Sequence, residues 1–398
     1  MICIAGKNEI AVYGIQLLIN RGFKKKEITV LTNKNDNSTH EWQPSFKKYC
    51  WDNDIKESKL EDLYKINDLI FISLEYDRII KTDLFKSKNL FNIHFSLLPA
   101  YKGMFTSIYP ILRGEKSSGV TLHKIDNRID TGDIIDQIEF DIPFGITGFK
   151  LYKLYLKYSK ELLDNNIGKI INLQFNFTQQ PIIGASYFSN KSIDFKSIKI
   201  DFNKTCFEIC NYVNAFSFRP YQLLSFGNLQ ISKGIDTNVK SKNKPGELIL
   251  ENDIYFEIAT VDYNIRLLKD KLKDILECSS KNALKSIKEY YDQNFDLDEK
   301  NEKGWNALIV ACFNGAFEVV KFIIENKISD VNDVNNNGTS VLMYAMTNAT
   351  ETNDFSMMEY LIKKGVNLKH TDYKGQDILH YANEYGNKKV INYLSEIK

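Results

Sequence analysis

Three polar residues have the types and the spacing that acyl transfer requires. Asn92 and His94 stand two positions apart in the run LFNIHF, which predicts a strand, so both side chains should leave the same face. Asp130 follows 38 residues after Asn92, in a polar loop behind another predicted strand. An amide donor, an imidazole and a carboxylate would serve as oxyanion stabiliser, proton handler and histidine orienter. Taken alone, the Asn92–His94 pair also fits ordinary polar residues at a strand end, and the loop with Asp130 also fits an ordinary turn.

The elements around these residues predict an open α/β sheet. Up to about Gly148, β-branched runs such as ICIAG, EITVLTN, DLIFISL and SGVTLHKI alternate with helical segments such as EIAVYGIQLLINR, which is typical of a Rossmann-like fold. Such sheets bind ligands at the carboxyl ends of their strands, where Asn92 and His94 are expected. The first turn, AGKNEIAVYG, lacks the G-x-G-x-x-G pattern, which disfavours NAD.

Three motifs in this region resemble a known enzyme family. NIHFSLLPAYKG, followed by GVTLH and IDTGD, is similar to the signature of the folate-dependent formyltransferases, which include glycinamide ribonucleotide and methionyl-tRNA formyltransferases. The resemblance implies that Asn92, His94 and Asp130 are catalytic and that N10-formyltetrahydrofolate is the cofactor. It leaves open whether His94 acts as a base or stabilises the intermediate, and whether His123 takes part or is merely packed.

The same resemblance implies two walls for the pterin ring of the folate. A flat heterocycle with amide-like edges needs backbone donors and acceptors, so side-chain identity should matter little there. The residues that match the family's cofactor walls are Tyr76, Asp77, Arg78, Ile79, Ile125, Asp126 and Asp130.

The last third of the chain repeats itself. Three segments align on Gly304, Gly338 and Gly375, which are 34 and 37 residues apart. A period of about 33 residues with G-x-x-x-L-x-x-A resembles ankyrin repeats, in which a turn and two helices stack on the next unit. The positions where ankyrin repeats usually carry a helix-capping Thr hold other polar residues that can cap a helix, namely Asn306, Ser340 and Asp377.

Trp305 directly follows the first of these glycines, at a variable position of the repeat. Such positions line the recognition face of ankyrin arrays, and an indole offers a large surface to a protein partner or to a nucleotide base. The sequence does not choose between these ligands. Packing of Trp305 against the preceding domain is an equal alternative.

Further strings are similar to the nucleotide-linked sugar N-formyltransferases, which act on dTDP-amino-dideoxyhexoses. GKNEIAV, SLEYDRII, YKGMFTSIYPILRGEKSSGVTLHKID and AFSFRPY carry this resemblance. It implies a role in surface polysaccharide (O-antigen) synthesis, and the C-terminal repeats favour the type that acts on dTDP-3-amino-3,6-dideoxyglucose, with the 3- or 4-amine left open. A diphosphate is bound by cations and a thymine ring by aromatic side-chain faces. The residues expected to bind the sugar nucleotide are Lys102, Met104, Tyr187, Arg219 and Tyr221.

These patterns divide the chain into three regions. We expect a Rossmann-like α/β formyltransferase domain over residues 1–185 and a small α+β substrate or linker domain over residues 186–270. An all-α ankyrin repeat domain should occupy residues 271–398. The first boundary rests on the linker-like segment QQPIIGASYFSNKSID.

Composition limits the partners and the compartment. A 398-residue chain with 43% hydrophobic and 26% charged residues can fill packed cores, which excludes a disordered protein. A net charge of +1 offers no field for a nucleic acid. No long uncharged run is present, so we expect a cytoplasmic protein without a membrane partner. Six scattered cysteines in no zinc-ligand pattern predict no metal, and a homodimer stays open.

Three other functions compete with sugar formylation. Methionyl-tRNA formyltransferase shares the catalytic set, but residues 201–250 hold six Lys and Arg against four Asp and Glu, a small excess for gripping tRNA. A formyltetrahydrofolate hydrolase would use water in place of the amine, but that family usually carries a different regulatory domain. A binding protein with ankyrin repeats and an inactive formyltransferase domain is disfavoured because Asn92, His94 and Asp130 are all present.

Overall fold

The computed structural model describes residues 1–397, which form two compact units. The first unit contains Met1–Thr39 and Ser45–Asp270. The second unit contains His40–Pro44 and the chain from Lys271 onward.

A six-stranded sheet lies at the centre of the first unit. Its elements and those around it are β1 Ile2–Gly6, α1 Asn8–Asn20, β2 Ile28–Thr32, α2 Phe46–Asp52, α3 Leu60–Leu63, β3 Ile70–Leu74, β4 Asn89–His94, β5 Lys102–Gly103, α4 Tyr109–Leu112, β6 Ser117–Lys124, β7 Ile134–Asp141, α5 Gly148–Ile171 and β8 Tyr187–Phe188. The strand order is β2-β1-β3-β4-β6-β7. β1 to β4 are parallel, as the Rossmann-like pattern predicts.

The other edge of this sheet departs from a purely parallel arrangement. β6 runs antiparallel to β4, and β7 runs antiparallel to β6. This register places His123 opposite Asn92 and Thr121 opposite His94. The predicted site is therefore bordered by a neighbouring strand on each side, β3 and β6.

Burial on both faces explains the uninterrupted apolar runs of the central strands. All five residues of β1 and of β3 are buried, as expected for strands that helices cover on both sides. α5 packs on α1 and on β6, and Thr147 caps its start, since the Thr147 hydroxyl accepts a hydrogen bond from the Lys150 amide. Within residues 1–397, no helix is both long and apolar enough to cross a membrane.

A second sheet completes the first unit. Its elements are α6 Cys206–Phe216, β9 Leu224–Phe226, β10 Leu229–Lys240, β11 Leu248–Glu251, β12 Tyr255–Ile258 and β13 Tyr263–Lys269, with the antiparallel strand order β11-β12-β13-β10-β9. Ile4 of the first sheet and Leu267 of the second belong to one apolar core. The expected domain over residues 186–270 therefore has no separate core, and its boundary at residue 186 stays a prediction.

Helix pairs form the second unit. They are α7 Leu272–Ser280, α8 Leu284–Asp292, α9 Ala307–Phe313, α10 Phe317–Glu325, α11 Val341–Thr352, α12 Ser356–Lys363, α13 Ile378–Tyr385 and α14 Lys388–Ile397. Each repeat glycine has a φ of +77° or +78°, a conformation that side chains beyond glycine seldom adopt. Two residues later a polar side chain accepts the hydrogen bond that starts the next helix, which confirms the predicted caps Asn306, Ser340 and Asp377.

Candidate active site

A cleft of about 610 Å³ opens at the carboxyl ends of β3 and β4, where ligands bind in open α/β sheets. This volume lies in the range of small-molecule sites. The sequence-predicted residues that line it are Tyr76, Asp77, Arg78, Ile79, Asn92, His94, Met104, Ile125, Asp126, Asp130 and Tyr187. His123 lines the same cleft.

The structure brings the three predicted catalytic residues together. Asn92 and His94 both reach the cleft from the last positions of β4. The Asp130 carboxylate lies 3.5 Å from His94 Nδ1 through Oδ2, and its Oδ2 also accepts a hydrogen bond of 2.9 Å from the Gly103 amide. An amide, an imidazole and a carboxylate thus surround one end of the cleft.

The imidazole of His94 faces an acceptor at each nitrogen. Its Nε2 lies 2.8 Å from the carbonyl oxygen of Tyr101, and a carbonyl only accepts, so Nε2 carries a hydrogen. Its Nδ1 faces the carboxylate of Asp130. Nδ1 is therefore the nitrogen of this ring that is left for proton exchange.

Several contacts hold the loop that carries Asp130. Asp130 has a φ of +53°, which Asp and Asn adopt more readily than most residues. Gly132 lies so close to β6 that a Cβ would stand 1.8 Å from the Lys124 carbonyl oxygen. Gln180 donates hydrogen bonds of 3.0 and 2.7 Å to the carbonyl oxygens of Asp130 and Gly132. Contacts to the backbone of Asp130 and Gly132 thus hold the Asp130 carboxylate in position.

A buried asparagine shapes the first of the two expected pterin walls. Asn33 donates to the carbonyl oxygen of Glu75 at 2.9 Å and accepts from the Asp77 amide at 3.2 Å. It therefore holds the backbone immediately after β3. Because this turn exposes Tyr76 and Arg78 to the cleft, Asn33 supports the wall without lining it.

Glu75 is a cleft residue that the sequence analysis missed. Its φ is +60°, and the Tyr152 hydroxyl donates to its two carboxylate oxygens at 3.1 and 3.0 Å. Burial raises the pKa of this carboxyl above its usual value. The string SLEYDRII contains it, but only the fold shows that it turns into the cleft. The other unexpected lining residues include Thr106, Phe188 and Asn190.

The expected sugar-nucleotide residues fall into two groups. Met104 and Tyr187 line the cleft and are 48% and 53% exposed, and Lys102 pairs with Tyr187 where β5 meets β8. Lys102, Arg219 and Tyr221 are not among the lining residues.

Arg219 and Tyr221 make other contacts within the first unit, and their role in substrate binding stays a prediction. Its guanidinium donates to both carboxylate oxygens of Asp270, at 2.9 and 2.8 Å, so its charge is already paired. The ring of Tyr221 stacks on Phe218 at 5.1 Å. Tyr221 also lies near Tyr152, whose hydroxyl binds the cleft residue Glu75.

Trp305 is only partly exposed within the repeat unit. Its ring lies 5.8 Å from that of Phe313 and 5.7 Å from that of Tyr344. The Lys303 ammonium lies 5.9 Å from the indole centre. The tryptophan is thus one member of an aromatic cluster that spans two repeats.

Comparison with known proteins decides the family. The formyl transferase model matches residues 16–166, and the model of three ankyrin repeats matches residues 275–352. An N-formyltransferase structure from Helicobacter canadensis, in complex with folinic acid and dTDP-3-aminofucose, is 45% identical. The match covers 68% of this chain and 99% of that one, with a TM-score of 0.63. The chain belongs to the sugar N-formyltransferases.

Other relatives fit this assignment. WlaRD, a sugar 3N-formyltransferase solved with dTDP and 5-N-formyl-tetrahydrofolate, is 47% identical to the enzyme over 67% of this chain and 97% of its own, with a TM-score of 0.64. The methionyl-tRNA formyltransferase of Malacoplasma penetrans is 28% identical over 66% of this chain and 86% of its own length. The sugar enzymes are thus more similar to this chain than the tRNA enzyme is.

Proposed function

We propose that this enzyme transfers the formyl group of N10-formyltetrahydrofolate to the 3-amine of a dTDP-3-amino-3,6-dideoxyhexose, namely dTDP-3-amino-3,6-dideoxyglucose, for surface polysaccharide (O-antigen) synthesis. The observation that carries the proposal is a sequence identity of 45% and 47% over nearly the whole of two solved chains, one described with dTDP-3-aminofucose and one as a sugar 3N-formyltransferase. Identity of that extent supports a shared substrate class.

The cleft suits the folate. The Tyr76–Ile79 turn and the Ile125–Asp130 loop offer backbone donors and acceptors along its sides, and Asn33 holds the first of them in place. N10-formyltetrahydrofolate supplies the electrophilic formyl carbon when bound. The chain's own residues then have to stabilise charge on the formyl oxygen and move one proton.

Asn92 is placed to stabilise the charge. Negative charge develops on the formyl oxygen as the sugar amine attacks, and a fixed N–H donor lowers the free energy of that state. Asn92 is the amide side chain that the carboxyl end of β4 brings into the cleft. We assign the oxyanion contact to its side-chain nitrogen.

His94 and Asp130 handle the proton. Because Nε2 of His94 binds the Tyr101 carbonyl, the proton lost by the amine goes to Nδ1 or to the Asp130 carboxylate beside it. A protonated His94 would donate at both nitrogens and would also stabilise the charge on the formyl oxygen. In either role, Asp130 would orient the imidazole.

We assign the sugar nucleotide to the part of the cleft that Met104 and Tyr187 line. Met104 and Tyr187 offer exposed faces for the thymine, and Lys102 on the adjoining strand offers a cation for the diphosphate. Arg219 and Tyr221 stay predicted contacts of the sugar nucleotide, although neither lines the cleft. Their removal is therefore expected to raise the KM for the sugar nucleotide less than removal of Tyr187.

A substrate panel tests the proposal. The purified enzyme is supplied with N10-formyltetrahydrofolate and with dTDP-3-amino-3,6-dideoxyglucose, dTDP-3-aminofucose or dTDP-4-amino-4,6-dideoxyglucose, and release of tetrahydrofolate is followed. We expect the 3-amino glucose compound to give the highest kcat/KM and the 4-amino compound to fall about 100-fold lower, since a displaced amine misses the reacting geometry. Preference for the 4-amine would overturn the assignment.

Methionyl-tRNA is the second candidate substrate because the M. penetrans enzyme aligns over most of its length. The near-neutral chain, with a net charge of +1, offers little to hold a polyanion. The same assay with initiator methionyl-tRNA should give no tetrahydrofolate above background. Turnover with tRNA and none with any dTDP-sugar would replace the proposal by this alternative.

Single-residue variants test whether the domain is active rather than a binding module. Asn92→Ala and His94→Ala should remain folded and lose about 100- to 1,000-fold in kcat. Thermal melting supplies the control for folding. A parent enzyme that releases no tetrahydrofolate in a single turnover with any amino-sugar nucleotide would favour the inactive binding protein.

A further inference from the structure

The amide of Asn92 has a partner on the neighbouring strand. β4 and β6 run antiparallel, and Asn92 lies directly opposite His123 in their register. Asn92 Nδ2 lies 3.0 Å from His123 Nε2. Within residues 1–397, the Asn92 side chain makes no second hydrogen bond.

The other nitrogen of His123 decides the direction of this hydrogen bond. His123 Nδ1 lies 2.7 Å from the carbonyl oxygen of Lys124, and a carbonyl only accepts, so Nδ1 carries a hydrogen. Burial lowers the pKa of His123 to about 4, against the opposing charge of Asp130, so the ring is neutral at pH 7. A neutral ring with a hydrogen on Nδ1 has only a lone pair on Nε2. Asn92 therefore donates and His123 accepts.

This direction fixes which end of the Asn92 amide faces His123. The amide could otherwise rotate by half a turn, which would exchange its oxygen and its nitrogen. The rotated amide would set an oxygen lone pair against the lone pair of His123 Nε2. One N–H of Asn92 is thus held by His123, and the second N–H is left for a ligand in the cleft that Asn92 lines.

We propose that His123 is a positioning residue that locks the Asn92 amide so that an N–H, and not the carbonyl oxygen, meets the formyl oxygen of the donor. The proposal rests on the proposed function, because it needs Asn92 as the oxyanion donor.

The arrangement also separates the tasks of the two histidines around Asp130. Asp130 Oδ1 lies 3.7 Å from His123 Nε2, and Oδ2 lies 3.5 Å from His94 Nδ1. A lone pair on His123 Nε2 gives the carboxylate no hydrogen. Asp130 is therefore left to pair with His94, which handles the proton, while His123 stays neutral and acts through Asn92.

Kinetics of three variants test the role. His123→Leu removes the acceptor, and we expect kcat to fall about 10- to 100-fold with both KM values within about 2-fold of the parent. His123→Gln can place an amide oxygen near the former Nε2 and should retain about 10-fold more activity than the Leu variant. His380→Gln, a histidine change in the repeat unit, serves as the matched control and should leave the rate unchanged.

A double-mutant cycle distinguishes action through Asn92 from a general structural role. If His123 acts through Asn92, adding His123→Leu to Asn92→Ala should lower kcat by less than about 3-fold, because the donor is already gone. A loss in the Asn92→Ala background as large as in the parent would overturn the proposal. So would a His123→Leu enzyme with the parent's rate.

The tautomer of His123 can be determined by NMR, without an activity assay. Long-range 1H–15N spectra of histidine-labelled enzyme separate protonated from unprotonated ring nitrogens, and the signals of His123 are those that vanish in the His123→Gln variant. We expect a hydrogen on Nδ1 and none on Nε2. A hydrogen on Nε2 would refute the inference even if His123→Leu fails to fold. A parent enzyme that shows the Nδ1 tautomer but no sugar formylation would instead refute the proposed function.

Discussion

At the scale of single residues, the carboxylate of Asp130 contacts three groups in the cleft. It faces His94 and His123 at 3.5 and 3.7 Å and accepts from the Gly103 amide. These groups sit on three different segments of the chain. One carboxylate therefore connects β4, which carries Asn92 and His94, to β5 and β6.

Exchange of this carboxylate for an amide tests its electrostatic part alone. Asp130→Asn keeps the volume and tolerates the φ of +53°, so melting should change little. Loss of the charge beside His94 should lower kcat by at least about 100-fold and should change the pH dependence of kcat. Asp141→Asn, at the exposed end of β7, is the matched control. A pH–rate profile identical to that of the parent would show that Asp130 does not orient His94.

At the scale of structural elements, the turn after β3 depends on one buried side chain. Asn33 is 2% exposed and binds the backbone on both sides of Tyr76. Asn33→Ala should free this turn and raise the KM for the folate about 5- to 10-fold, with kcat within about 3-fold of the parent. Steady-state kinetics with varied folate at saturating sugar nucleotide measures it. A rise in the KM of the sugar nucleotide alone would show that the turn after β3 contacts the sugar nucleotide and not the folate.

The first repeat contains a carboxyl group whose titration should affect stability. Burial, and then the nearby charge of Asp333, raises the pKa of Asp298 to about 6, and Asn306 donates to Asp298 at 2.8 Å and to Asp333 at 2.7 Å. A carboxyl with a raised pKa stabilises the folded state below its unfolded value near 3.9, and this contribution is lost as the pH rises through 6.

The measurement is a difference between variant and parent. From pH 4.5 to pH 7.5, the melting temperature of Asp298→Asn relative to the parent should rise, because the variant has no proton to lose. Asp292→Asn, on the exposed face of α8, should show no such trend. A constant difference across this range would mean that Asp298 is not held protonated by the fold.

The sequence predicted those parts of the fold that depend on local patterns. The apolar runs gave β1 to β4, and the glycine repeat gave the turns and caps at Asn306, Ser340 and Asp377, because each depends on residues within a few positions. The antiparallel course of β6, the turn of Glu75 into the cleft and the pairing of Arg219 with Asp270 were not predicted. They depend on strand order and on packing between residues far apart in the chain, such as Arg219 and Asp270, which are 51 positions apart.

At the scale of the whole molecule, the repeat unit carries an aromatic cluster of its own around Trp305. We expect Trp305→Ala to leave kcat and KM of the formylation unchanged and to shift melting by no more than about 2 °C, since the side chain is partly exposed. Calorimetric titration of the dTDP-sugar into parent and variant then decides its ligand. Loss of a second binding event identifies a nucleotide site, whereas identical titrations leave a protein partner. A large fall in melting temperature would assign Trp305 to packing with Phe313 and Tyr344.

The catalytic unit should work without the repeats. The Helicobacter canadensis structure and WlaRD align over 99% and 97% of their solved chains with only 68% and 67% of this chain, so the alignments leave about a third of this chain unmatched. All residues that line the cleft lie between Ser73 and Asn190. A chain that ends at Asp270 should therefore fold and formylate the sugar nucleotide with kcat/KM within about 3-fold of the full chain. Circular dichroism establishes folding and the tetrahydrofolate assay measures the rate. A folded but inactive truncated chain would show that the repeats take part in the reaction itself.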